Sequence, residues 1–268
     1  MFIDISTYVG RWPFANIAYN TLEGLDELAQ RYDITHMVVA NVQGFFYKDA
    51  NEANLELLEW LKEYKGKTQF LPLAIVDPSY STWEKDARNM IAAGFAGFEL
   101  APLYHGYTVA PSNVFDHATP VQYAKPVLAL AEELDVPVRI CACIEDPRGR
   151  APMDKREMIS GDEFYSLLST NKNAHVFVTS FSPAAAGDRF GALLKTRKNT
   201  YFDLDRFEVF GTERCKPILN VVTGDQICFG SLSPMNYMEC SLIRCAYGEG
   251  LDFEAIKTNP VKAFKTLR

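Results

Sequence analysis

The chain of 268 residues carries 27 Lys and Arg against 34 Asp and Glu, a formal net charge of −7 at pH 7. Its 48% hydrophobic and 13% aromatic content supplies one substantial core and excludes a disordered chain. The acidic balance gives no electrostatic footprint for nucleic acid, and no run approaches the roughly 20 apolar residues of a membrane span. The opening MFIDISTYVG also lacks a basic head followed by an apolar stretch, so a cytoplasmic protein with no nucleic-acid or membrane partner is expected.

In chain order, apolar runs predict strands over 2–8, 34–41, 69–76, 95–101, 136–143, 175–180, 200–204 and 226–231. Helical periodicity between and after them predicts helices over 22–31, 51–64, 83–93, 121–134, 161–170, 184–194, 212–222 and 237–247. Ser160 followed by Glu163 has capping-box spacing, and Gly94 stands where a helix C-terminus needs a left-handed residue. Strand and helix alternate eight times without a Pro/Gly/Ser linker. The whole of 1–268 therefore reads as one α/β domain, a (β/α)8 TIM-type barrel with a short helical tail after Gly250. Sites in such barrels lie at the C-terminal ends of the strands, where the longest loops are 102–119 and 144–160.

The six cysteines, Cys141, Cys143, Cys215, Cys228, Cys240 and Cys245, fall inside periodic apolar segments, which favours buried thiols over disulfides. Alternation along a strand groups Asp4, Ser6 and Tyr8, then Gly97, Glu99 and Ala101, then Arg139, Cys141 and Cys143. If these faces point into the barrel, Arg139 requires Asp4, Glu99 or both, because an isolated charge in a dry interior is costly. Such an arginine serves either an internal ion network or a substrate anion.

Several segments together resemble the amidohydrolase-related TIM-barrel proteins, which include metal-dependent hydrolases, lactonases and decarboxylases of small organic acids. Asp4-Ile-Ser-Thr-Tyr-Val-Gly10-Arg-Trp-Pro13 is similar to that family's first-strand signature, an Asp, a His-x-His pair and a nearby Gly. Gly94-Phe-Ala-Gly97-Phe-Glu-Leu-Ala-Pro102 resembles the fourth-strand segment, Pro137-Val138-Arg-Ile-Cys the fifth, and Phe229-Gly-Ser-Leu-Ser-Pro234 the eighth. Asn259-Pro-Val-Lys-Ala-Phe264 resembles the terminal helix.

The resemblance implies a divalent metal held by the His-x-His pair, fifth- and sixth-strand histidines and an eighth-strand Asp. Those positions here hold Ser6, Tyr8, Cys141, Ser180 and Leu232. Metal-assisted hydrolysis needs deprotonatable N, O or S ligands that lower the pKa of bound water from about 16 to about 7. Leu232 offers no such atom, and the Asp it replaces is the family's proton acceptor as well. The histidines do not repair the loss: His36 starts a strand, His105 and His117 share one loop, and His175 precedes the ligand position. Neither a metal nor another cofactor is expected.

Two classes of function remain. The first is a metal-independent hydrolase or lactonase acting on a small carboxylated or sugar-derived substrate, with a small anionic ligand. Arg11, Arg139, Arg148 and Arg206 are candidate anion clamps, and Ser6, Glu99 and Ser180 join them as candidate binding groups. Tyr8, His105, Glu145 and Asp203 are candidate proton-transfer groups, and Cys141 is the candidate nucleophile. A loop-stabilising role also fits His105, and pairing with Arg206 also fits Asp203 and Asp205. The second class is a non-catalytic descendant kept for ligand binding or subunit assembly. Loop aromatics Trp12, Phe14, Phe45, Phe46 and Tyr47 suit a subunit interface or a pocket cover. A homo-oligomer is expected.

Overall fold

The computed structural model describes residues 1–107, 123–144, 159–205 and 215–268. Seven strands run β1 (Ile3–Val9), β2 (His36–Asn41), β3 (Gln69–Ile75), β4 (Gly97–Leu100), β5 (Val138–Cys141), β6 (Val176–Thr179) and β7 (Thr200–Phe202). They form one parallel sheet in which spatial order follows chain order. Connecting helices are α1 (Leu22–Arg31), α2 (Ala50–Glu63), α3 (Trp83–Ala92), α4 (Pro102–His105), α5 (Ala124–Leu134), α6 (Gly161–Leu168), α7 (Gly187–Thr196), α8 (Lys216–Leu219) and α9 (Met238–Tyr247). Helix α10 (Phe253–Thr258) and 3-10 turns over 259–263 and 265–267 follow.

Local chemistry explains the boundaries. At the start of α6, Glu163 N–H donates to Ser160 Oγ at 3.2 Å while Ser160 N–H donates to Glu163 Oε2 at 2.8 Å, a reciprocal cap. After α3, Gly94 takes φ +106°, a conformation that a Cβ would oppose. The predicted long fourth loop begins with α4, a single helical turn opened by Pro102.

The predicted eighth strand over 226–231 does not form. This segment makes only isolated bridges, Ile227 to Phe202 of β7 and Ser233 to Thr7 of β1. It still joins the first and last strands: Cys228 N–H donates to Phe202 O at 2.8 Å, Ile5 N–H to Phe229 O at 2.9 Å and Tyr8 N–H to Ser233 O at 2.8 Å. Side chains intercept the donors a ladder would need. Asp4 Oδ1 takes the Ser231 N–H at 3.0 Å, and Ser231 Oγ takes the Ser233 N–H at 3.0 Å.

Two apolar layers flank the sheet. Outward residues such as Met37, Val39, Phe98, Leu100, Val138, Ile140, Val176 and Val178 pack on the buried faces of the helices. Ile3, Ile5, Tyr8, Val38, Leu73, Cys141, Phe177, Tyr201 and Phe264 form an inner cluster. This corrects the predicted face of β1. The β1–β2 register shifts between Asp4 and Thr7, so Tyr8 joins Ile3 and Ile5 on the inner face, and strict alternation from Asp4 through Ser6 to Tyr8 does not hold. None of the six cysteines is joined in a disulfide, and five of them are buried. Among the described residues no helix is long and apolar enough to cross a membrane.

Register between β4 and β5 places Glu99 directly beside Arg139. Gly97 makes that approach tight: a Cβ there would stand 2.4 Å from the Pro137 carbonyl oxygen. Replacing Gly97 with Ala must push the two strands apart, and the variant is expected to lose ~1–3 kcal/mol in urea unfolding.

Candidate functional site

Two polar groups lie within the sheet, one along the strands themselves and one reaching past the C-terminal ends of β6 and β7. The first is cationic and centred on Arg139, fully buried on β5. Its Nε donates to Glu99 Oε2, Nη1 to the carbonyls of Ile5 (2.8 Å) and Val38 (3.0 Å), and Nη2 to Thr7 O (3.4 Å). Tyr8 closes the group: its hydroxyl donates to Glu99 Oε1 at 3.0 Å, and its ring lies 4.6 Å from the Arg139 guanidinium carbon. Burial alone would lower the Arg139 pKa, but the adjacent Glu99 carboxylate, with smaller effects from Tyr8 and Cys141, holds it above its ordinary value. The predicted acid partner is thus Glu99 and not Asp4.

The second group is acidic. Asp4 Oδ1 accepts from Ser6 N–H and Ser231 N–H, each at 3.0 Å, while its Oδ2 meets no donor among the described residues. Burial pushes the Asp4 carboxyl up to about 6 against the pull of these bonds and of Arg139. Just past β7, Asp203 Oδ1 accepts from Ser180 N–H at 3.0 Å, and Asp205 Oδ2 accepts from Ser180 Oγ at 2.8 Å. The two carboxyls are within hydrogen-bonding reach of each other. Burial raises Asp203 well above the usual carboxylate range, and the charge and hydrogen bond of Asp205 add to the rise. The rise favours the protonated form of Asp203, as a second carboxyl alongside a buried one requires. Gly230 makes room for them: a Cβ there would lie 2.6 Å from Asp203 Cβ and 2.9 Å from its Oδ2.

The remaining candidates fall elsewhere. Cys141 is buried against Tyr8, and burial drives its thiol far up, away from the thiolate that nucleophilic attack requires. His105 ends α4, its Nε2 lies 3.0 Å from Gly44 O, and burial lowers its pKa, so it ties two loops together. The Arg11 side chain is exposed, while its main-chain N–H donates to Gln43 Oε1 at 2.9 Å. Ser6 Oγ is buried with no hydrogen-bond partner among the described residues. Arg148, Arg206, Glu145 and His117 lie outside the described residues. The loop aromatics do gather: Trp12 meets Phe14 at 5.6 Å and Phe46 at 5.2 Å, and Phe45 stacks on Tyr104 at 5.1 Å. Sequence reasoning missed Ser231 and Ser233, and it offered Asp203 as a proton-transfer group without setting Asp205 beside it; their i, i+2 spacing at a strand end was the available signal.

The five positions that correspond to metal ligands do not fit a metal. Leu232 has no donor atom, Tyr8 is committed to Glu99, and the Cys141 thiol resists ionisation. Among the described residues no group of three or more His, Cys, Asp or Glu is arranged to hold an ion.

No family model matches the sequence, and no curated protein matches it. Solved structures do match in fold. A 2,6-dihydroxybenzoate decarboxylase from Rhizobium superimposes with TM-score 0.68 at 15% identity, covering 99% of this chain and 98% of that one. A dihydroxybenzoic acid decarboxylase from Polaromonas sp. JS666, with bound manganese and 2-nitroresorcinol, gives 0.67 at 15% identity over 100% and 97%. A candidate amidohydrolase from Staphylococcus aureus gives 0.66 at 13% identity over 98% of both chains. The fold of this chain is that of the amidohydrolase barrels.

Two outcomes follow from the geometry. Glu99→Gln leaves Arg139 as a buried charge without a counter-ion and is expected to cost ~3–5 kcal/mol in urea unfolding. Because the folded-state pKa of Asp4 is raised from 3.8 to about 6, the native state holds its proton more tightly than the unfolded chain does. Stability from this group is therefore full below pH 4, falls as pH rises to about 6 and is flat beyond, a loss of ~3 kcal/mol. Asp4→Asn is expected to flatten that part of the stability–pH curve, read by urea unfolding at pH 4, 5, 6 and 7.

Proposed function

We propose that the chain is a metal-independent hydrolase of small carboxylated or sugar-derived esters and lactones, with the Asp203–Asp205 pair as its proton-transfer group. The observation that carries this reading is the pair itself, two buried carboxyls bridged by Ser180 at the barrel end where catalytic groups of this fold lie, with Asp203 held toward its protonated form. The ionised member takes a proton from water as the water oxygen attacks the ester carbonyl, and the protonated member donates to the carbonyl oxygen. Ser180, bonded to both acids, fixes their mutual orientation. Substrates bearing a carboxylate suit the arginines expected near the pocket mouth, and the names of two structural neighbours, both dihydroxybenzoate decarboxylases, support that class.

A specific observation also favours a non-catalytic barrel: Tyr8, Cys141, Arg139 and Leu232 fill the centre with almost no exposure. A panel of lactones and carboxylated esters, assayed in chelator, separates the readings. The hydrolase reading expects turnover, with Asp203→Asn lowering kcat/KM by at least about 100-fold while the thermal midpoint holds. Turnover that requires added divalent metal, or that survives Asp203→Asn, would overturn it; ligand binding with no turnover in either protein supports the non-catalytic barrel.

A further inference from the structure

A concavity lies at the N-terminal end of the strands, opposite the carboxyl pair. It has a volume of about 570 Å³ and opens between the C-terminal ends of α6 and α7, where His175 precedes β6 and Tyr201 sits in β7. That volume is in the range of small-ligand sites. In a protein of net charge −7, its lining includes Lys172, Arg197, Lys198 and Lys262 and not one acid.

The charges are poorly compensated. Neither Lys172 nor Lys198 forms a salt bridge with a carboxylate among the described residues; Lys198 Nζ donates to Thr223 Oγ1 at 3.2 Å, and its charge acts on Asp225 from a distance. Lys262 has one loose acid neighbour, Asp225, at 3.6 Å, and its ammonium also lies 5.6 Å from the centre of the Tyr201 ring. Arg197 is buried, and its guanidinium is met by the carbonyls of Leu168, Asn171 and Ala174 and by Thr200 Oγ1. Burial lowers its pKa to about 10, with Glu132 only partly opposing. His175 stacks on Tyr201 at 5.9 Å, and its Nδ1 lies 3.1 Å from the Tyr201 hydroxyl. Burial lowers the His175 pKa and the nearby Arg268, Lys262 and Arg197 lower it further, with Asp135 opposing, as a positive local potential requires. Several cations around a concave, aromatic-floored space focus that potential on whatever enters.

We propose that this cavity binds a small, multiply charged oxyanion, an oligophosphate or a tricarboxylate. Three exposed lysines supply point charges at the rim, and Tyr201 and His175 form the floor. The site is independent of the carboxyl pair at the other end of the barrel, so its fate does not depend on the hydrolase reading.

Titration calorimetry of the full chain with pyrophosphate and, separately, with tricarballylate at fixed ionic strength tests the site. Saturable binding of at least one of them, one per chain, is expected, and the Lys172→Ala/Lys198→Ala double variant should weaken it by about tenfold or more. Lys85→Ala, on α3 and outside the cavity lining, removes one surface charge against the two of the double variant and is expected to alter affinity less than about twofold. All three lysines are exposed, so folding is expected to survive and is verified by an unchanged thermal midpoint. Absence of saturable binding by both anions overturns the proposal. So does binding that the double variant leaves intact, or that Lys85→Ala weakens equally.

Discussion

A full positive charge with no access to water sits at the centre of this fold, and most of the inner architecture answers to it. Desolvating the Arg139 guanidinium and the Glu99 carboxylate costs several kcal/mol for each ion, and their attraction offsets this only where the geometry is close and every N–H is occupied. The β4–β5 register sets the two side by side, and Gly97 permits the strands to approach. The remaining donors reach main-chain carbonyls of Ile5, Thr7 and Val38. Those carbonyls lie beside the register shift in β1, where a regular ladder is interrupted. One side chain thereby ties β1, β2, β4 and β5 together, and the irregularity in β1 serves the same purpose.

The polar interior is divided in two as a result. Tyr8, Glu99 and Arg139 form a compact, internally neutral unit on one side of the barrel. On the other side Asp4, Asp203 and Asp205 have hydroxyls and N–H groups around them, and Arg139 acts on Asp4 only as a minor Coulombic influence. Burial pushes Asp4 and Asp203 toward their protonated forms.

Much of this was legible before any coordinates. Seven of the eight apolar runs became strands within a few residues of their predicted limits, because parallel strands covered on both faces are nearly continuous in apolar residues. An Arg and a Glu at inward positions of neighbouring strands already required a buried pair. The register shift in β1 left no mark, since Asp4, Ser6 and Tyr8 satisfy simple alternation whether or not the strand is regular. The Asp203–Asp205 pair was visible only as i, i+2 spacing at a strand end. Leu232 and Ser180, both at φ near +57°, were invisible too, because non-glycine residues enter the left-handed region only when their surroundings hold them there.

The missing eighth strand and the acidic cluster are two sides of one arrangement. Asp4 can take the Ser231 N–H only if that residue gives up a place in a ladder, and Asp203 can lie over Gly230 only because no Cβ stands between them. A regular strand at 226–231 would return those N–H groups to β1 and β7 and would strip the carboxyls of donors that partly offset their burial. Leaving a buried polar atom unsatisfied costs ~1–3 kcal/mol, more for a charged one, whereas each ladder bond contributes ~0.5–1.5 kcal/mol net. The balance favours an irregular segment wherever buried acids must be held, so the local loss of strand geometry follows from keeping the acids.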